Sequence, residues 1–161
     1  MKITIKPSPT ADTRTCDWSK VEKEELLRAS LMHKQDIAKA MGFFQTLLTE
    51  AAVRHDHDKL HAIDHFHADF RTGFKQTGWW DNHRKVNRHH LTMKDGIPED
   101  VNLIDVLDYI ADCVMSGMAR SGSVYDITLP QELLARAFSN TTELLKEAVV
   151  VEPARDPGVS R

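Results

Sequence analysis

Cysteine is scarce in this chain of 161 residues, and its scarcity excludes several classes of protein. The two cysteines, Cys16 and Cys113, lie far apart and match the spacing of neither a zinc site nor a redox motif. A disulfide-stabilised secreted domain is therefore excluded, and a reduced, cytoplasmic protein is the expectation. The first ten residues, MKITIKPSPT, lack the apolar core of a signal peptide, which agrees with that expectation.

Long apolar runs and an excess of positive charge are also missing. No stretch approaches the length of a membrane span, so no membrane association is expected. The formal net charge of -3 disfavours nucleic-acid binding through bulk electrostatics. A chain of this length can nevertheless form one domain with a real core.

Helical periodicity dominates the chain. A long, largely buried helix ending near residue 53 is predicted by apolar side chains at spacings of three and four, namely Ile37, Met41, Phe44 and Leu48. A separate, earlier helix over residues 19–30 is predicted by the capping pair Ser19 and Glu22. Later helices are predicted over residues 59–75, 81–91, 99–119 and 130–148.

The predicted fold is therefore all-α. A single compact domain of about five to seven helices is expected over residues 19–150. An extended or irregular lead, residues 1–18, precedes it and includes a short strand near residues 2–6. The residues 151–161, rich in proline and glycine, are expected to be a disordered tail.

Histidine is the residue type that stands out, because all nine histidines lie between residues 33 and 90. The stretch His55-Asp56-His57-Asp58-Lys59 places an imidazole beside a carboxylate at the predicted end of the long helix. Neutral imidazole and carboxylate together bind divalent cations well. Lys59 could hold an anionic substrate beside such a cation, although most lysines are solvated.

A second group of histidines lies on the predicted short helix. At about 100° per residue, His83, Asn87 and His90 share one face, whereas Arg84 and its basic neighbours point the other way. His83 and His90 are therefore candidate metal ligands. His89 points off this face and is a weaker candidate, for a substrate contact. The plainer alternative is a polar helix whose histidines pack against the neighbouring tryptophans.

Three later aspartates, Asp105, Asp108 and Asp112, also share one helix face. Such a stripe is more often simply solvated, and only the upstream histidines favour ligation. Asp112 is the preferred ligand and Asp108 the reserve. Either would complete a site with His33 and with the adjacent residues His55 and Asp56, which we call the HD pair.

Two other sets of histidines have plainer explanations. A lone histidine near the start of the long helix is more often structural; His33 gains weight because it could fold back toward His55. The ladder His57, His61 and His65 is better explained as surface or supporting residues than as a zinc site.

The order His33, His55-Asp56, Asp112 resembles the signature H…HD…D of the HD-domain superfamily of metal-dependent phosphohydrolases. The stretch from residue 83 to residue 90 also resembles the H-x-x-x-N-x-H-H run of a small, uncharacterised HD-like family of tailed bacteriophages and bacteria. The resemblance covers about residues 30–125. It departs from the usual pattern at His57 and Asp58, where small or apolar residues are common.

The resemblance implies an HD-like helical fold and a metal-activated water that attacks a nucleotide or related phosphate ester. His33, His55, Asp56 and Asp112 would hold one divalent cation, with His83 and His90 holding a second or completing the first site. Mn, Fe, Co, Ni or Zn would suit these ligands, and Mg is an option. Asp56 would orient the attacking hydroxide. The substrate would contact Lys59, Arg84, Asn87 and His89.

The resemblance leaves other functions open. A di-iron oxygenase of HD type would use the same ligands to activate oxygen. A non-catalytic metal-binding interaction protein of a phage or bacterium would keep the metal without turnover. A nucleic-acid-binding module using Arg84, Lys85 and Arg88 is disfavoured by the acidic net charge. A homo-oligomer is compatible with each, and a phage-encoded protein would act in the host cytoplasm.

Overall fold

The structure is a computed structural model that describes residues 1–7, 18–91 and 94–153. Most of the predicted lead, residues 8–17, and of the predicted tail, residues 154–161, lies outside the described residues. The fold is all-α, as predicted, with one small two-stranded sheet. The chain divides into two compact units, Met1–Gln45 with Leu144–Arg161 and Thr46–Glu143, which are described separately.

The first unit contains the small sheet. Strand β1 (Ile3–Ile5) pairs in parallel with strand β2 (Val149–Val151), and Ile3 lies opposite Val149. The strand near residues 2–6 was predicted from its alternation. Strand β2 was not predicted, because its three valines follow a helix directly, without a turn signal, and its partner is at the other end of the chain.

Helix α1 (Lys23–Arg54) is one uninterrupted helix of 32 residues. The prediction of two separate helices was wrong, because no proline or glycine interrupts the chain between Lys23 and Met41. The prediction of a buried stripe was also wrong, since Ile37 is 50% exposed and Met41 is 61% exposed. The buried residues of α1 are Ala29 and Phe43, which lie about 90° and about 130° around the helix from that stripe.

Short helices follow α1 in the second unit: α2 (His57–His61), α3 (Ile63–Phe70) and α4 (Trp79–Val86), then one 3-10 turn (Arg88–His90). The long helix predicted over residues 59–75 is thus broken at Ala62, and the one over residues 81–91 is broken at Asn87. Helices α5 (Leu103–Ser121) and α6 (Gln131–Ala148) complete the fold close to their predicted bounds.

The hydrophobic core of the second unit lies beside the 3-10 turn. Leu91, which ends the turn in a left-handed conformation with φ 52°, is 1% exposed. It packs in one cluster with residues from the following loop, α5 and α6, namely Val101, Val106, Leu133 and Ala137. The burial of Leu91 fixes the end of the turn that carries His89 and His90.

A buried carboxylate organises the connection between α3 and α4. Asp69 is fully buried and accepts hydrogen bonds from the backbone N–H groups of Gln76, Thr77 and Trp80 at 3.0 to 3.4 Å. The hydroxyl of Thr72 donates to it as well. Burial by itself raises the pKa of Asp69, but these donors outweigh burial and hold the pKa below its usual value.

No helix within the described ranges is both long and apolar enough to cross a membrane.

We expect Asp69→Ala to lower the free energy of unfolding by about 2 to 4 kcal/mol, because it leaves several buried donors without an acceptor. Urea unfolding followed by circular dichroism measures the change. Asp64→Ala, an exposed carboxylate of α3, is the matched control and should cost under about 1 kcal/mol. Equal losses in the two variants would contradict the role of Asp69.

The same carboxylate predicts a pH dependence of stability. The folded-state pKa of Asp69 is depressed, so its stabilisation is complete above the unfolded-state pKa of about 3.9. It is lost as the pH falls through the folded-state pKa. The difference in unfolding free energy between the wild type and Asp69→Ala should therefore shrink below about pH 4. A difference that stays constant through this range would rule out the titration of Asp69 as its source.

Candidate metal centre

The HD pair lies directly after α1, where the chain turns sharply. Asp56 adopts a left-handed conformation with φ 54°, which is rare for residues other than glycine. The side chain of Asn87 holds this turn, because its Oδ1 accepts from the Asp56 N–H at 3.0 Å and its Nδ2 donates to Asp58 Oδ1 at 2.8 Å. Asn87 therefore ties the turn after α1 to the end of α4.

His83 on α4 is fully buried, and its tautomer follows from its partners. Its Nδ1 lies 2.9 Å from Asp58 Oδ2, a carboxylate oxygen that can only accept. Asn87 Nδ2 is also 3.0 Å from Nδ1, but its two hydrogens go to Asp58 Oδ1 and to the His83 carbonyl, so Nδ1 carries the hydrogen. Trp79 and Trp80 stack on the ring with centroids at 4.7 and 5.2 Å. Its Nε2 has no hydrogen-bond partner and lies 3.4 Å from Asp56 Oδ1, so in a neutral ring two acceptors face each other.

The break at Asn87 brings two more imidazoles to Asp56. The backbone of Asn87 is extended, with φ -100° and ψ 109°, and the following 3-10 turn redirects His89 and His90. His89 Nε2 lies 3.7 Å from Asp56 Oδ1, and the rings of His83 and His90 are 4.7 Å apart. His89 is 2% exposed, so its predicted position off the functional face was wrong.

The imidazoles of His89 and His90 are held in the neutral form that metal ions require. Burial, followed by the neighbouring imidazoles His89 and His83, lowers the pKa of His90 to about 3. Burial and then His55 also lower the pKa of His89. Each ring therefore offers a nitrogen lone pair at neutral pH.

Four side chains together could hold a metal ion: Asp56, His83, His89 and His90. Each offers a ligand atom, and these atoms lie within 4.8 Å of one another. Each side chain also has a buried polar atom without a hydrogen-bond partner, namely Asp56 Oδ1, His83 Nε2, His89 Nδ1 and His90 Nε2. Donors about 2.1 Å from a tetrahedral ion are about 3.4 Å apart, which matches the distance from His83 Nε2 to Asp56 Oδ1.

A second group with ligand potential shares His89 with the first and adds His55 and Asp108. His55 Nδ1 lies 2.8 Å from Asp108 Oδ1, and its ring stacks on that of His89 at 4.1 Å. This hydrogen bond leaves His55 Nε2 as the free nitrogen, 3.7 Å from Asp56 Oδ2 and 3.8 Å from Asp112 Oδ1. Asp108 therefore orients His55, and Asp112 lies across from the free nitrogen.

Lys59 belongs to the same centre. Its Nζ donates to Asp56 Oδ2 at 2.5 Å, so the two oxygens of Asp56 face different groups. Burial raises the pKa of Asp56, but the hydrogen bond and charge of Lys59 outweigh it and hold the pKa below its usual value. Asp56 is therefore a carboxylate, as a metal ligand must be.

The structure assigns other roles to several predicted site residues. Asn87 is 2% exposed and bonded within the protein, so it positions Asp56 and Asp58 and does not face a substrate. Arg84 pairs with Asp81 at 3.0 Å. His33 is exposed, lies in the first unit and belongs to neither group. The uninterrupted helix α1 removes the fold-back on which its predicted ligation depended.

The three aspartates of α5 have three different roles. Asp105 completes a capping box with Asn102 and pairs with Arg88, so it does not face the metal centre. Asp108, the reserve ligand, belongs to the second group, whereas Asp112, the preferred ligand, belongs to neither. Asp112 lies near His55 but its side chain is 35% exposed. A shared helix face could not distinguish these roles, because they depend on partners outside α5.

Sequence reasoning missed Asp58, whose carboxylate orients His83. Its signal was present, since a carboxylate two residues after the HD pair departs from the apolar residue usual there. The packing of Trp79 and Trp80 against His83 was predicted only as an alternative to a ligand role. In the structure His83 both stacks on the tryptophans and offers a ligand atom. The ladder His57, His61 and His65 contributes to neither group, in line with a supporting or surface role.

Comparison of the chain with protein-family models, with curated proteins and with solved structures gave no match. The resemblance to HD-domain proteins therefore rests on the motif residues alone.

We expect Asp58→Asn to weaken divalent-metal binding by about 10- to 100-fold, because the neutral amide no longer raises the basicity of His83. Titration of the protein with Co²⁺ measures the affinity. Asp81→Asn is the matched control, since Asp81 is exposed and pairs with Arg84 on the same helix as His83. An unchanged affinity in Asp58→Asn would contradict the orienting role.

Proposed function

We propose that this protein is a metal-dependent phosphohydrolase of HD type that acts on a nucleotide or a related phosphate ester. The observation that carries the proposal is that Asp56, His83, His89 and His90 offer ligand atoms within 4.8 Å of one another, while Asp56 Oδ1 and His83 Nε2 lie buried 3.4 Å apart without a hydrogen-bond partner. A shared cation would satisfy these atoms, because the lone pairs of Asp56 Oδ1 and of a neutral His83 Nε2 repel each other. The hydrolase reaction class is supported by the HD pair and the later histidines.

The mixed imidazole and carboxylate ligands favour Mn, Fe, Co, Ni or Zn over Ca. When bound, such an ion supplies Lewis acidity, which acidifies water and offsets negative charge on a phosphoryl oxygen. The protein's contribution is orientation. Asp58 holds the His83 ring, Asp108 holds the His55 ring, and Asn87 holds the backbone of Asp56.

The open side of the centre decides where a substrate could enter. His83 and His89 close one side, whereas the side chains of His55, Asp56 and Lys59 are 24% to 31% exposed. Lys59 is the cation that reaches this open side, where its ammonium would bind a phosphate oxygen. An ammonium has three hydrogens, so Lys59 can bind a phosphate oxygen while it donates to Asp56 Oδ2, and substrate charge can act on the centre through this contact.

A di-iron oxygenase of HD type is the second candidate. It is favoured by the two ligand groups that share His89, because two adjacent groups suit a pair of metal ions. The two candidates differ in what they consume. The hydrolase consumes water and releases phosphate, whereas the oxygenase consumes oxygen and requires iron. A protein that binds metal and does neither would be a non-catalytic metal-binding protein.

We expect Asp56→Ala to abolish both metal binding and phosphate release, because it removes the oxygen on which the imidazoles converge. Elemental analysis and a phosphate-release assay on a panel of nucleotides measure the two effects. His65→Ala is the matched control, since His65 is exposed and lies outside both groups. Retained metal content in Asp56→Ala would contradict the site, whatever its effect on turnover.

Chelation separates the candidate functions. After removal of bound metal, phosphate release should fall to background and return with Mn²⁺ or Co²⁺ under anaerobic conditions. Activity that returns only with iron, together with oxygen consumption, would contradict the hydrolase and favour the oxygenase. Metal binding without either reaction would contradict both.

A further inference from the structure

We propose that Arg88 is the positioning residue that sets the metal affinity of this centre, although it cannot touch a bound metal. Arg88 lies between Asn87, which holds the turn of Asp56, and His89, which belongs to both ligand groups. The inference rests on the metal centre of the proposed function and not on the reaction that occurs there.

The guanidinium of Arg88 makes four hydrogen bonds to the chain around the N-terminus of α5. Its Nε and Nη2 donate to the two oxygens of Asp105 at 2.6 and 2.7 Å. Its Nη1 donates to Asp100 Oδ2 at 2.9 Å, and Nη2 also donates to the backbone carbonyl of Asp100 at 3.0 Å. A bidentate fork of this kind fixes direction as well as distance.

The partner of this fork is itself fixed. Asp105 is 5% exposed and accepts from the Asn102 N–H at 2.9 Å within the capping box of α5. Arg88 therefore connects the 3-10 turn to the first turn of a packed helix. The same helix carries Asp108, which orients His55. One side chain thus ties His89 and His90 to the helix that orients the other ligand group.

Without this fork, the backbone of the 3-10 turn would be anchored at its ends, and stacking of His89 on His55 and of His90 against Trp80 would be left to hold its rings. Asn87 holds the residue before the turn, and buried Leu91 holds the residue after it. A 3-10 turn has weak internal hydrogen bonds and is easily remodelled. His89 Nδ1 and His90 Nε2 lack hydrogen-bond partners, so the direction of these rings depends on ring stacking and on the anchored backbone of the turn. Loss of the fork should therefore reduce metal affinity and change the coordination geometry.

The test compares Co²⁺ binding in three proteins. The double variant Arg88→Met with Asp105→Asn removes the fork without leaving a buried, unpaired carboxylate, and the new amide can still accept from Asn102. Arg136→Met is the matched control, because Arg136 donates to the carbonyl of Ile97 and to Glu132, away from the centre. Affinity is read from quenching of tryptophan fluorescence, since Trp79 and Trp80 stack on His83. Geometry is read from the Co²⁺ d–d absorption spectrum.

We expect the double variant to bind Co²⁺ about tenfold or more weakly, with an altered d–d spectrum, while Arg136→Met keeps the wild-type affinity and spectrum. Wild-type affinity and spectrum in the double variant would overturn the inference. So would an equal loss of affinity in Arg136→Met, because that would indicate general destabilisation.

Arg88→Lys keeps the test usable if the double variant does not fold. It retains a positive charge beside Asp105 but lacks the planar fork, so a smaller loss of affinity with the same spectral change is expected. An unaltered spectrum in Arg88→Lys, with affinity retained, would overturn the inference. Tight Co²⁺ binding by a wild type that hydrolyses no phosphate ester would contradict the proposed hydrolase and leave the role of Arg88 standing.

Discussion

The candidate centre depends on the repulsion between buried hydrogen-bond acceptors around Asp56. Its Oδ1 is buried, accepts no hydrogen bond and faces the nitrogens of His83 and His89 at 3.4 and 3.7 Å. The hydrogen of His83 is committed to Asp58 on the far side of the ring. A buried set of acceptors is costly unless a cation joins it. Carboxylate and amide side chains hold these groups in place: Asp58 bonds to His83, Asn87 to the backbone of Asp56, and Asp108 to His55.

The candidate ligands are positioned by contacts that join different elements. Asn87, at the end of α4, holds the left-handed turn of Asp56, and Arg88 holds the following 3-10 turn against α5. Asp108 of α5 in turn orients His55 at the end of α1. These hydrogen bonds join different elements of the second unit and also orient the candidate ligands. The same interactions therefore contribute to the packing of the unit and to the geometry of the centre. Leu91 joins the two, since it ends the turn and lies in the core.

Much of the fold and part of the centre could be predicted from the sequence. Periodicity and turn residues predicted the all-α class, the C-terminal end of α1 and both ends of α6. Three of the side chains predicted as ligands, Asp56, His83 and His90, belong to the first group of four that could hold a metal ion. The breaks at Ala62 and Asn87 could not be predicted, because neither residue is a strong helix breaker. The role of His89 was missed for that reason, since a continuous helix would have turned it away.

The sequence also could not predict which distant groups the charged side chains would pair with. Arg88 could equally bind solvent, phosphate or carboxylates, and only the fold brings Asp105 to it. Arg84, by contrast, pairs with Asp81 three residues earlier on the same helix, a contact that the spacing alone predicts. The exposure of the α1 stripe was likewise unpredictable, because an amphipathic pattern states which face is apolar and not what covers it.

The most direct test of the central claim is the ¹⁵N NMR spectrum of the histidine rings, recorded before and after addition of Zn²⁺. We expect His83 to keep its hydrogen on Nδ1 toward Asp58. We also expect the His83 Nε2 resonance, and those of His89 and His90, to shift to metal-bound positions at stoichiometric Zn²⁺. Spectra in which Zn²⁺ leaves these rings unchanged, with His83 protonated on both nitrogens, would show that a proton relieves the repulsion at Asp56 and would contradict a metal centre.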